Sequence, residues 1–150
     1  MFKRILVPVD GSPTSNKALV AALQLARESG GRVRLLHSFD ELAYLTGYEY
    51  NADVIKQCRG FAEKVMQDAL EIAKAGGIPT DTKLMDGPGQ RLGDVVAEEA
   101  RRFEADLIVV GTHGRRGIGR VLMGSGAEQV IRQAPVPVLA IRGEEEAKAR

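Results

Sequence analysis

Short apolar runs alternate with longer, partly polar segments along the whole chain. The five runs are RILVPV, RVRLLHSF, DTKLM, DLIVVG and VPVLAIR. The longer segments repeat their apolar residues every three or four positions, which is the spacing of an amphipathic helix. The first, fourth and fifth runs are apolar almost throughout, as is typical of parallel strands covered on both faces. The pattern therefore predicts a single α/β domain, with an open five-stranded parallel sheet sandwiched by helices.

Each predicted helix has an apolar stripe that we expect to face the sheet. In the first helix Ser12 can cap the N-terminus, Pro13 suits the first turn, and Gly30 with Gly31 ends the helix. The last helix is expected to begin near Ser125. In chain order the four stripes are Ala18, Leu19, Ala22, Leu23 and Ala26; Val54, Cys58, Phe61, Ala62, Val65, Met66, Ala69, Ile72 and Ala73; Leu92, Val95, Val96, Ala100 and Phe103; and Val130 and Ile131.

Two segments do not fit this alternation. Residues 40–51, DELAYLTGYEYN, carry three tyrosines without a clear period, and we expect a loop that either packs locally or touches a ligand as a lid. The terminal residues GEEEAKAR are expected to be frayed and solvated. We therefore assign residues 1–142 to one domain and residues 143–150 to a flexible C-terminal tail.

The charge balance and the cysteine content limit the possible partners and location. Lys and Arg total 21 and Asp and Glu total 20, so the net charge of +1 gives no overall attraction to nucleic acid or anionic membrane. No segment approaches the roughly 20 apolar residues of a membrane span. The first residues lack the pattern of a secretory signal, and the single cysteine, Cys58, cannot pair within the chain. We expect a cytoplasmic protein that binds neither nucleic acid nor membrane.

Candidate chemistry lies at the carboxyl ends of the predicted strands, where helix N-termini present free backbone N–H groups to ligands. The stretch GTHGRRGIGRVLMGS leads from the fourth strand into the last helix. Its glycines allow successive N–H groups to converge on one anion. Ser125 can add a hydroxyl bond, while the arginines either contact a polyphosphate or form a solvated face. Phosphate is the expected ligand.

The significance of the glycine spacing G-x2-G-x9-G depends on where it occurs in the chain. Glycine is 17 of the 150 residues, so this spacing arises by chance about 0.2 times in such a chain. Requiring Ser or Thr after the last glycine lowers that figure to about 0.01. The position between a strand and a helix strengthens the interpretation as a phosphate-binding loop.

The end of the first strand offers a second group of polar residues. Asp10 is either a ligand group or a turn residue beside Gly11, and the glycine loop favours the ligand role. Ser12 is assigned to the helix cap. His37 and His113 are far apart in sequence and lack clustered acids or thiols, so no metal site is predicted from them.

Three segments resemble one known family. GTHGRRGIGRVLMGSGAEQVIRQAPVPVLAIR resembles the closing segment of the universal stress proteins, and RILVPVDGSPTSNKALVAALQLA and RLLHSF are similar to that family too. The resemblance covers nearly the whole chain. It implies a Rossmann-like sheet of the adenine nucleotide alpha hydrolase-like type. It also implies that this sheet binds ATP with Mg²⁺, or else ADP or AMP, and that the subunits pair as dimers.

The resemblance also implies roles for individual residues. Pro8, Val9 and Asp10 are expected along the adenosine, with Asp10 near the ribose or a phosphate-bound metal and Ser38 near adenine. The residues expected to hold the phosphates are Gly111, Gly114, Gly124 and Ser125. Arg115 and Gly126, in the same stretch, are further candidate nucleotide-binding residues. Gly126 departs from the family pattern, in which binding members often have a β-branched residue at this position.

The last apolar run predicts an interface. VPVLAIR is apolar and carries little charge, which is typical of an exposed edge strand that can accept another strand. We expect a homodimer through Val136, Val138, Leu139 and Ile141.

Several enzyme classes lack their defining residues here. A P-loop enzyme needs G-x4-G-K-[ST], and a dinucleotide-binding dehydrogenase needs G-x-G-x2-G after the first strand, where DGSPTS stands. A receiver domain could use Asp10 and Asp86 but would need a further acid beside Asp10 and a Lys ending the last strand. No nucleophile–base pair is evident. The sequence therefore favours a non-enzymatic, ATP-binding signalling or protective module of stress responses. Slow ATP hydrolysis or self-phosphorylation, and a module that binds no nucleotide, are the alternatives.

Overall fold

Five parallel strands alternate with four helices in a computed structural model that describes residues 1–39, 52–86, 90–112 and 125–143. In chain order the elements are β1 (Arg4–Pro8), α1 (Pro13–Ser29), β2 (Arg32–Phe39), α2 (Ala52–Ala75), β3 (Thr80–Asp86), α3 (Leu92–Phe103), β4 (Leu107–Gly111), α4 (Ser125–Gln133) and β5 (Val138–Ile141). The predicted α/β fold with five parallel strands is confirmed. The expected loop at 40–51 lies outside the described residues.

The strands lie side by side in the order β3-β2-β1-β4-β5. β1 pairs with β2 from Arg4 opposite Arg32 to Pro8 opposite Leu36, and with β4 through Ile5 opposite Leu107. All four pairings are parallel. β1 and β4 are therefore central neighbours, and β3 and β5 form the two edges of the sheet.

Helices cover both faces of the sheet, which explains why the central strands are apolar throughout. Alternate residues of β1 point to opposite faces, as strand geometry requires. Ile5 and Val7 belong to the core cluster formed with α1 and α2, whereas Leu6 belongs to the cluster formed with α3 and α4. Ile5, Leu6 and Val7 are fully buried.

The first helix begins and ends as predicted. The Ser15 N–H donates to Ser12 Oγ at 3.1 Å, so Ser12 is the N-cap, and Pro13 occupies the first turn. Gly30 has φ 70°, in the left-handed region that favours glycine at a helix end. The predicted inward stripe of α1 is buried: Ala18, Leu19, Ala22, Leu23 and Ala26.

Two residues predicted to be buried are exposed. Phe61 on α2 is 39% exposed and Ile131 on α4 is 43% exposed, although both occur in helical apolar stripes. Phe61 lies at a cleft between α2 and the start of α1 instead of beneath the helix. On α4, Ala127 and Val130 are the residues buried against the sheet, at 5% and 1% exposure. Cys58 is half-buried.

A charged cluster lies on the α3 side of the sheet. Arg34 on β2 makes two hydrogen bonds to the carboxylate of Asp81 on β3, at 2.8 and 3.0 Å, and a third to Glu99 on α3 at 2.8 Å. The Phe103 ring lies against the guanidinium groups of Arg4 and Arg34, at 4.4 and 4.3 Å from its centroid. Hydrogen bonding to Arg34 holds the pKa of Asp81 below its ordinary value, against the opposing effect of partial burial.

The end of the described chain packs on the first helix. Gly143 is buried, and a Cβ at this position would stand 2.6 Å from Thr14 Oγ1. Residues 144–150 lie outside the described part of the chain, so the flexible tail stays a prediction. Within the described ranges, none of the helices combines the length and apolar character needed to cross a bilayer.

Candidate functional site

The carboxyl ends of β1 and β4 mark the position of the candidate site. From β1 the chain continues to β2 and β3 on one side, whereas β4 and β5 lie on the other. Connections therefore leave these two central strands in opposite directions, and a crevice forms between their carboxyl ends. Ligands of open α/β sheets bind in such crevices. The predicted site residues Pro8, Val9, Asp10 and Gly111 lie at these strand ends.

The turn from β1 to α1 is held by hydrogen bonds around Asp10. The Asp10 N–H donates to Ser15 Oγ at 3.1 Å, and the Ser12 N–H donates to Asp10 Oδ1 at 2.9 Å. Gly11, between them, has φ 83°. Asp10 is therefore a turn residue, one of the two roles expected for it, and Oδ2 of its half-buried carboxylate takes no part in these two bonds.

A buried histidine supports the end of β1. His37, near the end of β2, is 6% exposed, and its Nδ1 lies 2.7 Å from the carbonyl oxygen of Val9. The Val9 N–H donates to the carbonyl of Leu36 at 2.8 Å. The sequence identified no role for His37 beyond excluding a metal site, and the only available signal was its place at a strand end beside Ser38.

Gly111 ends β4 in close contact with α1. A Cβ on Gly111 would stand 2.8 Å from Thr14 Cγ2 and 3.1 Å from the Thr14 carbonyl carbon and oxygen. The next residue, Thr112, is buried and donates its N–H to the carbonyl of Ile141 at 3.0 Å. Gly111 is thus required by the packing of β4 against the first turn of α1, whether or not it also faces a phosphate.

Gly126 and Gly93 allow the N-terminal ends of α3 and α4 to pack closely. A Cβ on Gly126 would stand 2.8 Å from Leu92 Cδ2, and one on Gly93 would stand 2.7 Å from Gln129 Cβ. The Gly93 N–H also donates to Gln129 Oε1 at 3.2 Å. Packing therefore demands glycine at position 93, where the Gln129 backbone is the neighbour, more strictly than at position 126, where the neighbour is the end of a flexible leucine side chain.

The remaining predicted residues are only partly described. Ser38 is half-buried near the end of β2. Ser125 is the first residue of α4, which places it at a helix N-terminus as predicted. Gly114, Arg115 and Gly124 lie outside the described residues. The structure thus brings the β1, β2 and β4 ends and the start of α4 to one edge of the sheet.

A cleft of about 220 Å³ opens beside the β1–α1 turn. Val9 and Gly11 line it on one side, and α2 lines it on the other through residues that include Phe61 and Val65. An exposed ion pair, Lys64 to Asp68 at 3.5 Å, also borders it. The sequence did not predict this cleft, because it assigned Phe61 to the core.

Comparison with known proteins gives a consistent family relationship. Residues 1–142 match the family described as the universal stress protein family. A universal stress protein of Thermus aquaticus is 32% identical over 143 residues, covering 95% of this chain and 100% of that protein. A putative universal stress protein of Staphylococcus aureus is 30% identical, over 96% of this chain and 86% of that protein.

Solved structures with the same fold include two nucleotide complexes. A universal stress protein from Archaeoglobus fulgidus superposes with a TM-score of 0.76 at 25% identity, over 94% of this chain and 99% of that chain. A complex of the Archaeoglobus fulgidus protein with dAMP gives 0.68 at 27%, over 93% and 97%. A universal stress protein in complex with cAMP gives 0.67 at 25%, over 93% and 96%. By sequence and by fold, the chain belongs to the universal stress protein family.

Proposed function

We propose that this chain is a cytoplasmic stress-response module that binds ATP in the crevice between β1 and β4, with ADP or AMP as competing occupants. Nucleotide occupancy would change the surface presented to partners, because a ligand shifts a conformational equilibrium by its differential affinity for the two states. The nucleotide-binding unit is assigned to residues 1–142, which is also the extent of the family match.

The observation that carries the proposal is that the carboxyl ends of several strands meet where the chain connections change direction, between β1 and β4. Asp10 follows β1, Ser38 lies near the end of β2 and Gly111 ends β4, with β1 and β4 adjacent. α4 connects two parallel strands, so its N-terminus at Ser125 lies at the same edge. A helix N-terminus provides N–H donors and a partial positive charge to phosphates. The dAMP and cAMP complexes of structural neighbours support an adenine nucleotide as the occupant.

Asp10 is assigned to the ribose hydroxyls or to the Mg²⁺ that accompanies ATP. Mg²⁺ in nucleotide sites is bound by one or two carboxylates together with phosphate oxygens and waters. A single half-buried carboxylate at the end of β1 fits a metal that arrives with the nucleotide. Its Oδ1 is engaged by the Ser12 N–H, so we assign the ligand contact to Oδ2.

Isothermal titration with ATP and Mg²⁺ tests this proposal through two substitutions at Asp10. Asp10→Asn keeps an oxygen acceptor for the Ser12 N–H but removes the charge, whereas Asp10→Ala removes both. We expect wild-type binding below millimolar ATP, a loss of about tenfold or more for Asp10→Asn as for a charge-assisted contact, and reduced stability only for Asp10→Ala. Glu71→Gln, an exposed change on α2, is the charge-matched control. A flat titration of the wild-type protein would overturn nucleotide binding.

Binding is proposed in preference to rapid turnover because Asp10 and His37 already have positional roles at the turn. Asp10 accepts the Ser12 N–H and His37 bonds the Val9 carbonyl. Incubation with ATP and quantification of released ADP and AMP distinguishes the two functions. Steady product release at ordinary enzyme rates, abolished by Asp10→Ala, would establish the enzyme instead.

The edge strand β5 supports the proposal of a homodimer. β5 pairs on one side with β4 and ends the sheet on the other, in the strand order described above. Leu139 is 39% exposed, and Val136, Val138 and Ile141 are each partly buried. An exposed apolar edge of this kind is a site for pairing with another strand. A second copy of the chain, related by a two-fold axis, is the proposed partner.

A further inference from the structure

The imidazole of His37 fixes a peptide group beside the candidate site. Its Nδ1 lies 2.7 Å from the carbonyl oxygen of Val9, and the side chain is 6% exposed. A carbonyl oxygen only accepts hydrogen bonds, so Nδ1 carries the proton and donates. β1 ends at Pro8, which means that this bond holds the chain one residue beyond the strand.

The Val9–Asp10 peptide group is held at both of its polar atoms. Its carbonyl accepts from His37, and its N–H, which belongs to Asp10, donates to Ser15 Oγ at 3.1 Å. Because a peptide unit is planar, two bonds on opposite sides fix its rotation about the chain direction. The two side chains come from β2 and α1, so the orientation of this peptide depends on the tertiary fold.

The orientation of this peptide sets where the Asp10 carboxylate points. The side chain of Asp10 leaves the chain directly after the fixed peptide, and its Oδ1 then accepts the Ser12 N–H at 2.9 Å. A functional group must be held in its productive geometry by residues whose own positions are locked by packing and hydrogen bonds. His37 is locked in this way by its burial.

We propose that His37 is a positioning residue of the nucleotide site, which acts on Asp10 through the Val9–Asp10 peptide and does not touch the ligand. The role of His37 in nucleotide binding rests on the function proposed above. Its effect on the orientation of the Val9–Asp10 peptide does not depend on that function. A histidine that merely fills the core would affect stability alone.

Three substitutions separate positioning from packing. His37→Asn places its amide nitrogen near the location of Nδ1 and keeps the donor to Val9. His37→Leu keeps apolar volume but removes the donor. Leu35→Ala, at a fully buried position of the same strand face, is the packing control.

Titration with ATP and Mg²⁺ and chemical denaturation are measured on all four proteins. We expect His37→Leu to lose about tenfold in affinity, as for one hydrogen bond of typical strength, and His37→Asn to stay within about threefold of wild type. Leu35→Ala should lower the denaturation midpoint while leaving affinity unchanged, because its cavity lies beside Val7 within the sheet and the His37–Val9 bond stays in place. Equal losses of affinity in His37→Leu and His37→Asn would overturn the proposal.

Hydrogen exchange of the Asp10 amide gives a readout that needs no ligand. Removing the Val9 anchor should increase exchange at Asp10 and Gly11 in His37→Leu relative to His37→Asn, with the amides of α3, on the opposite face of the sheet, unchanged. If the wild-type protein binds no nucleotide, the proposed function fails while faster exchange in His37→Leu still supports the structural role. Unchanged exchange in His37→Leu would overturn the positioning role whatever the outcome with ATP.

Discussion

Thr14 in the first turn of α1 lies against Gly111 at the end of β4, so closely that a Cβ on Gly111 would stand 2.8 Å from Thr14 Cγ2. Cβ atoms in proteins essentially never lie this close to another atom, so a side chain at position 111 would force one of the two groups to move. On its other side Thr14 meets Gly143, where a Cβ would be 2.6 Å from Thr14 Oγ1. Thr14 therefore packs the first turn of α1 against both the last residue of β4 and the segment that follows β5.

Gly111→Ala should destabilise the protein by about 1–3 kcal/mol, the cost typical of overpacking a well-packed site. The contact includes the Thr14 backbone carbonyl, which cannot rotate away as a side chain can. Gly60→Ala is the matched control, because no atom of the described residues lies within 4 Å of a Cβ at this helical position. That variant should gain about 0.5–1 kcal/mol from improved helix propensity. Urea denaturation of both variants checks the prediction, and equal stabilities would contradict the packing role of Gly111.

The Asp81 carboxylate should contribute to the acid dependence of stability. Its pKa in the folded protein lies below the ordinary value, chiefly because Arg34 hydrogen-bonds the ionised form. A group with a lowered folded pKa stabilises the protein above its unfolded pKa of about 3.9 and loses that contribution as pH falls through the folded pKa. The wild-type protein should thus lose stability from about pH 5 downward more steeply than Asp81→Asn.

Denaturation midpoints measured from pH 7 to pH 2 test this difference. Because Asp81 is 38% exposed, the contribution at pH 7 should not exceed about 1 kcal/mol, as for solvent-screened pairs. Repeating the series in 1 M salt should reduce the difference between the two proteins. Parallel acid limbs for wild type and Asp81→Asn would show that the Arg34 pair does not shift the titration.

Leu139→Lys should weaken the proposed dimer. A lysine on an edge strand opposes pairing with another strand, because its charge would have to be desolvated at the interface. Leu139 suits the experiment better than Val138, which is partly buried against the α3 and α4 core. Phe61→Lys is the matched control, because Phe61 has the same 39% exposure but lies on α2, which packs over β2 and β3.

Sedimentation across a range of concentrations provides the measurement. A dimeric wild type, a dimeric Phe61→Lys and a monomeric Leu139→Lys are the expected results. If Leu139→Lys stays dimeric, the interface lies elsewhere on the molecule.

Features that depend on neighbouring residues could be predicted from the sequence. The cap at Ser12 and the end of α1 at Gly30 are set within one helical turn, and both predictions were confirmed. The alternation of apolar runs with helical stripes predicted the parallel α/β fold. A continuous apolar run indicates a strand covered on both faces, and a helical stripe indicates a helix covered on one face. The prediction that Phe61 and Ile131 are buried was wrong. A helical stripe shows which side of the helix is apolar, but not how much of that side the sheet covers.

Contacts between distant parts of the chain were decided by the tertiary structure. The glycine pattern after β4 indicated a phosphate loop, but the packing of Gly111 on Thr14 and of Gly126 on Leu92 became visible only when α1 and α3 were in place. His37 and Val9 are 28 residues apart, and no local pattern links an imidazole to that carbonyl. The sequence by itself determined the elements and the residues at their ends, because these depend on short-range periodicity and capping. The strand order, which sets β1 beside β4 and supports Asp10 from β2 and α1, depends on long-range packing and was decided by the fold.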